Sequence, residues 1–400
     1  MTNKSIWKFI ILAIGIFFWL MAPARTFAAD EPFIFGLLIV GDHNDHVKSH
    51  ALFEGGKYAE KMIPGTKMIY IEKVNPRERP NITLPMLVDD MVEKGARLII
   101  ASSSDMKDGI VASALSHPNI YFIHISGDDV LTGKAPKNLS NLVGRMEYGK
   151  MMAGFAAAMT TQTGKIAYLG PLANHETRLL AVSCYLGAKY AWEKVLKKDP
   201  KELNFQVSWI GYWFNIPGVT ADPTQIAQNF YNTGYDVIIS GIDTPEVVDV
   251  AKQKKHEGKT VWAIPLGYID ACQRAAEVCL GVPYFNWGPG YVQILKAAKT
   301  GKWHSKWISM GPNWKNINNP DKSPVGFVAG PALPASAQKH LASFINNLGK
   351  KRINLFRGPL NFQDGSAFVK VNRTASDKQK WQLDQLLKGM TGPSQSKNTK

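Results

Sequence analysis

An α/β fold with two Rossmann-like lobes is predicted by three observations. Short, nearly continuous apolar runs alternate with longer amphipathic stretches, the pattern of parallel strands covered by helices on both faces. The alternation stops after one series and starts again. The chain of 400 residues is also too long for one ordinary core and suits two, at roughly 100–200 residues per domain.

The first series opens with an apolar strand over 32–40 and a helix over 50–62, then a strand over 66–72 and a helix over 84–95 that Gly95 terminates. A strand over 97–101, a helix over 108–116 and a strand over 120–125 complete it. The second series begins with a helix over 148–161, whose small residues from Ala153 to Ala158 allow close packing. It continues with a strand over 165–169, a long helix over 176–196 and a strand over 205–210. A helix over 223–233, a strand over 236–240, a helix over 245–257 and a strand over 261–265 follow. Residues 29–144 are thus expected to form one lobe, completed by about 267–322. Residues 145–266 form the other, completed by about 323–390, and 391–400 form a disordered polar tail. In open parallel sheets ligands bind beyond the carboxyl ends of the strands, so two facing lobes make an interdomain ligand cleft.

The N-terminus reads as a secretory signal. Lys4 and Lys8 precede an apolar run over 9–21, Pro23 breaks it, and Thr26-Phe27-Ala28 sets small residues at the cleavage positions. Residues 1–28 are therefore expected to be removed and the mature chain to be periplasmic. The run is short of the ~20 residues that span a bilayer, and no cysteine follows that would take a lipid. The formal net charge of +15 falls to about +12 once Lys4, Lys8 and Arg25 are lost. The remaining basic residues are scattered and no aromatic-plus-basic motif accompanies them, so nucleic acid is not an expected partner. Of the three cysteines, Cys272 and Cys279 are near enough in sequence to bridge, but sequence does not decide the pairing.

No nucleophile elbow, HExxH or phosphate-binding loop occurs, and neither catalysis nor a cofactor is expected. His43, His46 and His50 with Asp42 and Asp45 form one metal-like cluster, but the spacing matches no metal signature and no metal is expected.

Several strings together resemble the basic-membrane-protein family of ABC-transporter solute-binding proteins, in its purine- and nucleoside-binding branch. They are Gly41-Asp42-His43-Asn44-Asp45, Asn141-Leu142-Val143-Gly144-Arg145, the segment from Trp209 to Asn215, and Gly241-Ile242-Asp243-Thr244-Pro245. Phe285-Asn286-Trp287-Gly288-Pro289 and the closing Phe356-Arg357-Gly358-Pro359 with Gln363-Asp364-Gly365 continue the same order. The resemblance implies a type I periplasmic binding protein that closes by hinge motion on a small polar, purine- or nucleoside-like ligand. It also implies delivery to an ABC permease in the inner membrane, by a monomer. The alternative reading is a sensor that presents its closed form to a membrane receptor or kinase.

The resemblance places ligand contacts at Asp45, His46, Lys48, Ser49, Ser103, Ser104, Trp213, Asn215, Asp243, Thr244, Tyr268 and Asp270. Four positions depart from the family pattern. Lys48 and Ser49 replace an aromatic and an asparagine, Ser104 replaces an aromatic, and Tyr268 replaces an aspartate. Lys48 either pairs with an anionic ligand group or faces solvent, and Tyr268 is a candidate to stack. Asp45, Asp243 and the serines around Ser103 have a plainer reading as helix caps, and Trp213 as core. Trp287 is expected chiefly to pack a helix.

Overall fold

The computed structural model describes residues 31–395, so the expected signal peptide lies outside the described residues. Two all-parallel sheets carry the fold. The first orders its strands β11-β5-β4-β3-β1-β2 and the second β15-β7-β6-β8-β9. In the first, β1 (Phe33–Leu38) lies between β2 (Thr66–Ile71) and β3 (Ala96–Ala101), followed by β4 (Tyr121–Ile125) and β5 (Leu139–Gly144). The helices α1 (Lys48–Met62), α2 (Leu84–Glu93) and α3 (Lys107–Ser116) link the first four strands. Phe35 and Leu37 face one core and Leu38 the other, as expected of a strand buried on both faces.

The second lobe starts at α4 (Met146–Thr160), which crosses α5 (His175–Tyr190) at close range. Its sheet is built from β6 (Lys165–Gly170), β7 (Asn204–Trp209), β8 (Val237–Ser240) and β9 (Trp262–Ile264), with α6 (Pro223–Asn232) and α7 (Glu246–His256) on one face. The chain then passes into β10 (Gly281–Phe285), α8 (Gly288–Lys299) and β11 (Trp307–Met310), and back through β12 (Val325–Ala329). β10 and β12 pair antiparallel, forming a ribbon where the lobes meet. From it Phe285 and Val325 enter the first lobe's core while Phe327 enters the second's.

After β12, α9 (Ala335–Gly349) packs on α4. A short hairpin of β13 (Leu360–Asn361) and β14 (Ala367–Val369) and the turn of helix α10 (Asp377–Lys380) lead to β15 (Met390–Thr391), on the edge of the second sheet.

Three expectations change. β5 was not predicted as a strand, because Asn141 and Ser140 break its apolar run. Both are buried, and Asn141 Oδ1 accepts the Val130 N–H at 2.8 Å. The segment that starts near 267 does not serve the first lobe alone: Leu266 and Tyr268 pack on the first lobe's core, whereas Ala275 and Val278 pack beside α7. Residues 391–395 of the expected tail are held in place. Thr391 pairs beside β7, Trp209 Nε1 donates to the Pro393 carbonyl at 2.7 Å, and Ser394 Oγ accepts the Leu386 N–H. A polar composition concealed this, because the order comes from backbone pairing rather than apolar burial.

Cys272 and Cys279 form a disulfide with Cα atoms 5.5 Å apart, closing the turn before β10. Cys184 is a free, buried thiol on α5, and burial pushes it up to about 12.

Candidate functional site

The carboxyl ends of β1, β3, β4, β6, β7 and β8 converge on one cleft between the sheets. The loop after β1 turns at Asp45, which gathers the free N–H groups at the start of α1. Oδ1 accepts from Val47 and His50 at 2.8 and 3.0 Å, and Oδ2 accepts from Ser49 at 3.1 Å. The capping role is therefore the one seen. A carboxylate is well placed there, against four unpaired N–H groups and the positive end of the helix dipole. Asp45 nevertheless also lines the cleft. Buried Ser49 accepts the Gly41 N–H through Oγ at 3.1 Å and so ties the loop back to β1.

Lys48, in the first turn of α1, reaches across the cleft. Its ammonium sits 4.6 Å from the centroid of Trp213, on the loop after β7. Trp213 is only 5% exposed, and its indole Nε1 donates to Asp105 Oδ2 at 2.6 Å. Asp105 follows the serines that end β3, and Ser103 Oγ caps that turn through the Asp105 N–H. Trp213 is thus neither plain core nor an open platform. It holds the two lobes together, one face covered by Lys48 and its edge tied to Asp105. Two further bonds cross the same gap: Ser126 Oγ to Glu176 Oε1 at 2.9 Å, and Asn174 Nδ2 to Ser104 Oγ at 3.4 Å.

Asp243 lies on the loop after β8, with its backbone N–H bonded to the Trp213 carbonyl. It does not cap α7, which has no side-chain cap, and its carboxylate accepts no hydrogen bond among the described residues. Burial pushes its carboxyl up to about 7, against the pull of Lys48, with Asp45, Glu176 and Asp105 adding to the rise. The Thr244 hydroxyl beside it is sealed without a partner. Asn215 Oδ1 is occupied by the Thr220 hydroxyl at 3.0 Å.

Two cavities of about 420 Å³ each open on either side of the Asp45 loop and share Asp45 and Thr244. One adds Ser49, Asn215 and Asp243; the other adds His46, Tyr268 and Asp270. Tyr268 stacks on His50, with centroids 4.3 Å apart, so it pairs with a histidine in the place where the resemblance expects an aspartate. Asp270 is exposed at the rim. A third cavity, of about 270 Å³, holds Ser104, Asp105, Ser126 and Glu176. Trp287 is 3% exposed and stacks on Phe285 at 4.8 Å, within the first lobe's core.

Sequence reasoning passed over Asp105, Glu176 and Lys150. Lys150 lies on α4 beneath the cleft, fully buried, donating to the Ser240 carbonyl at 2.6 Å. Burial lowers it to about 8, countered by Cys184 and Asp243. It is the only charged residue after Glu147 in an otherwise apolar helix, which was a readable signal. The expected histidine cluster does not gather as one group. His43 instead meets Glu72, with Nδ1 2.6 Å from Oε2, beside Asp42, and Lys73 lies 3.2 Å from Asp42 and supplies the positive charge there.

The Asp243 carboxyl sets a pH response. Its folded value lies above the ordinary carboxylate range, so the stability it contributes is present below about pH 4 and is lost as pH rises through about 7. Asp243→Asn is expected to flatten the decline in melting temperature of ligand-free protein between those limits, read by scanning calorimetry. An unchanged slope would assign it elsewhere.

A family model described as ABC transporter substrate-binding protein, PnrA-like (Bmp), matches residues 34–322. A purine-binding protein of Brucella abortus (strain 2308) is 26% identical over 285 residues, 71% of this chain and 72% of that protein. Basic membrane protein A1 of Borrelia garinii subsp. bavariensis is 25% identical over 207 residues, and the match spans 57% of its length. Among solved structures, an ABC transporter solute-binding protein from Aeropyrum pernix K1 superposes with a TM-score of 0.63 at 11% identity, over 87% of this chain and 95% of that one. That likeness shows a type I periplasmic-binding-protein fold. The matched span covers every strand of the first sheet, four of the second sheet's five strands and all the cleft residues described above, and so the chain belongs to the Bmp family of PnrA-like ABC transporter substrate-binding proteins.

Proposed function

We propose that the protein works in the periplasm, closing its two lobes around a small polar solute and delivering it to an ABC permease. Membership of a substrate-binding family already implies a small-molecule ligand and a permease partner. The observation that carries the rest is the contact set across the cleft. Asp105 and Lys48 on one lobe hold Trp213 on the other, so lobe closure and occupation of the cleft involve the same atoms. Purine- or nucleoside-like compounds lead because a relative is named as a purine-binding protein. A flat ring with N–H and amino donors suits an indole face bordered by carboxylates.

Mass spectrometry of small molecules released from gently purified protein tests this directly, and a nitrogenous solute recovered unaltered is the expected result. Recovery of a chemically altered product, or of no solute from protein that stays folded, would count against it. Trp213→Ala is expected to weaken binding of that solute by about 1 kcal/mol or more through lost stacking. Unchanged affinity by titration calorimetry would return Trp213 to a purely structural part.

A further inference from the structure

The charge inside the cleft says more about the solute than its walls do. Asp45, Asp105, Glu176 and Asp243 all bear on this space, and burial raises each of them. Two ammonium groups answer them. Lys150 is sealed below, fully buried, and spends its proton donor on the Ser240 carbonyl. Lys48 is the one that enters the cleft, and it makes no ion pair or hydrogen bond among the described residues. Its ammonium lies over the Trp213 face and acts through space on Asp105, Glu176 and Asp243.

Asp45 and Asp105 already accept hydrogen bonds, but the other two carboxylates are incompletely matched. Among the described residues the Asp243 carboxylate takes no hydrogen bond, and Glu176 Oε2 and the Thr244 hydroxyl are sealed without a partner. Four carboxylates around one entering ammonium leave the cleft with an excess of negative charge, and a ligand that brings only neutral hydroxyls leaves that mutual repulsion in place. An anionic ligand raises it. A cation removes it, and the indole face of Trp213 is itself a favourable seat for one.

We infer that the solute is a cation, with its charged nitrogen over Trp213 between Asp105 and Asp243, where the Lys48 ammonium now lies. Lys48 is then a tethered stand-in that covers the indole and partly neutralises the carboxylates while the cleft is empty. The ligand displaces it toward solvent. Lys48 sets specificity, since a ligand must outcompete an internal ammonium to reach the ring. The inference rests on the reading of the cleft as a solute site, and it narrows that solute by charge.

Adenosine and 1-methyladenosine test charge separately from ring class, because they share a purine nucleoside frame and only the methylated form is positive at neutral pH. Agmatine and thiamine add cations without a purine. Titration calorimetry of the full mature chain is expected to show 1-methyladenosine binding at least ~10-fold more tightly than adenosine, the scale of one charge-assisted contact. Lys48→Met is expected to tighten cation binding, and Asp243→Asn to weaken it by a similar factor. Circular dichroism checks that both variants are folded.

Adenosine binding as well as or better than 1-methyladenosine would overturn the charge assignment and leave the purine reading standing. Agmatine or thiamine binding where neither nucleoside does would uphold the charge and remove the purine. Binding of none of the four would overturn both. Weaker cation binding in folded Lys48→Met would overturn the displacement of Lys48.

Discussion

Gly154→Ala is expected to lower the free energy of unfolding by about 3 kcal/mol, at the upper end of what overpacking costs. Gly154→Val should leave little folded protein. Intrinsic propensity points the other way, since alanine is favoured over glycine inside a helix by about 1 kcal/mol. Packing decides the sign. A Cβ on Gly154 would lie 1.8 Å from the Cys184 carbonyl oxygen, and one on Gly187 would lie 2.0 Å from that of Met151. α4 and α5 therefore touch backbone to backbone at two reciprocal points, and neither obstacle is a side chain that can turn away. Relief requires the helices to separate, which opens voids around Phe155, Cys184 and Ala188 in the largest core. Denaturant unfolding followed by far-ultraviolet dichroism measures the change. A neutral or stabilising Gly154→Ala would show that the two helices are not held this close in solution.

That crossing was legible in part, because the run of small residues from Ala153 to Ala158 announces close packing. The alternating strands and helices were legible for the same reason: both faces of each sheet are buried, so the period shows in the residues themselves. β5 was not, since its inward-facing Asn141 and Ser140 earn burial through hydrogen bonds to residues distant in sequence. The cleft behaved likewise. Lys48, Trp213 and Asp243 could be named from their places after strands, yet the contact between Lys48 and Trp213 joins residues 165 apart. Glu176 reads as an ordinary first-turn acid on a helix, where carboxylates are common. Only the approach of Ser126 from the opposite lobe gives it a second part. Periodicity reports burial along one element; it carries no record of which charges face each other across two.

Residues 323–395 lie beyond the span that matches the family, and a buried charge cluster fastens them to the crossing between lobes. Glu147, at the start of α4 and 4% exposed, accepts from Arg145 Nε at 2.9 Å and from Lys380 Nζ at 3.3 Å. Asp377 completes the square, 2.9 Å from Arg145 and 2.6 Å from Lys380. Arg145 also ties its backbone N–H to the Met310 carbonyl, at the point where the chain leaves the first lobe's last strand. Removing Glu147 would leave two cations, one of them the 6%-exposed Lys380, sharing a single carboxylate. Breaking a buried pair from one side costs about 3–5 kcal/mol, because the remaining charge keeps its desolvation penalty. Glu147→Ala is therefore expected to destabilise the protein by roughly 3 kcal/mol, the lower end since Asp377 remains. Proteolysis should then cut first in the segment around α10. Glu147→Gln keeps an acceptor and should lose less. The loss in Glu147→Ala should persist at high salt, since a sealed pair is poorly screened. If cleavage instead begins in the first lobe, or if salt erases the difference, the cluster is not what secures the C-terminal segment to the hinge.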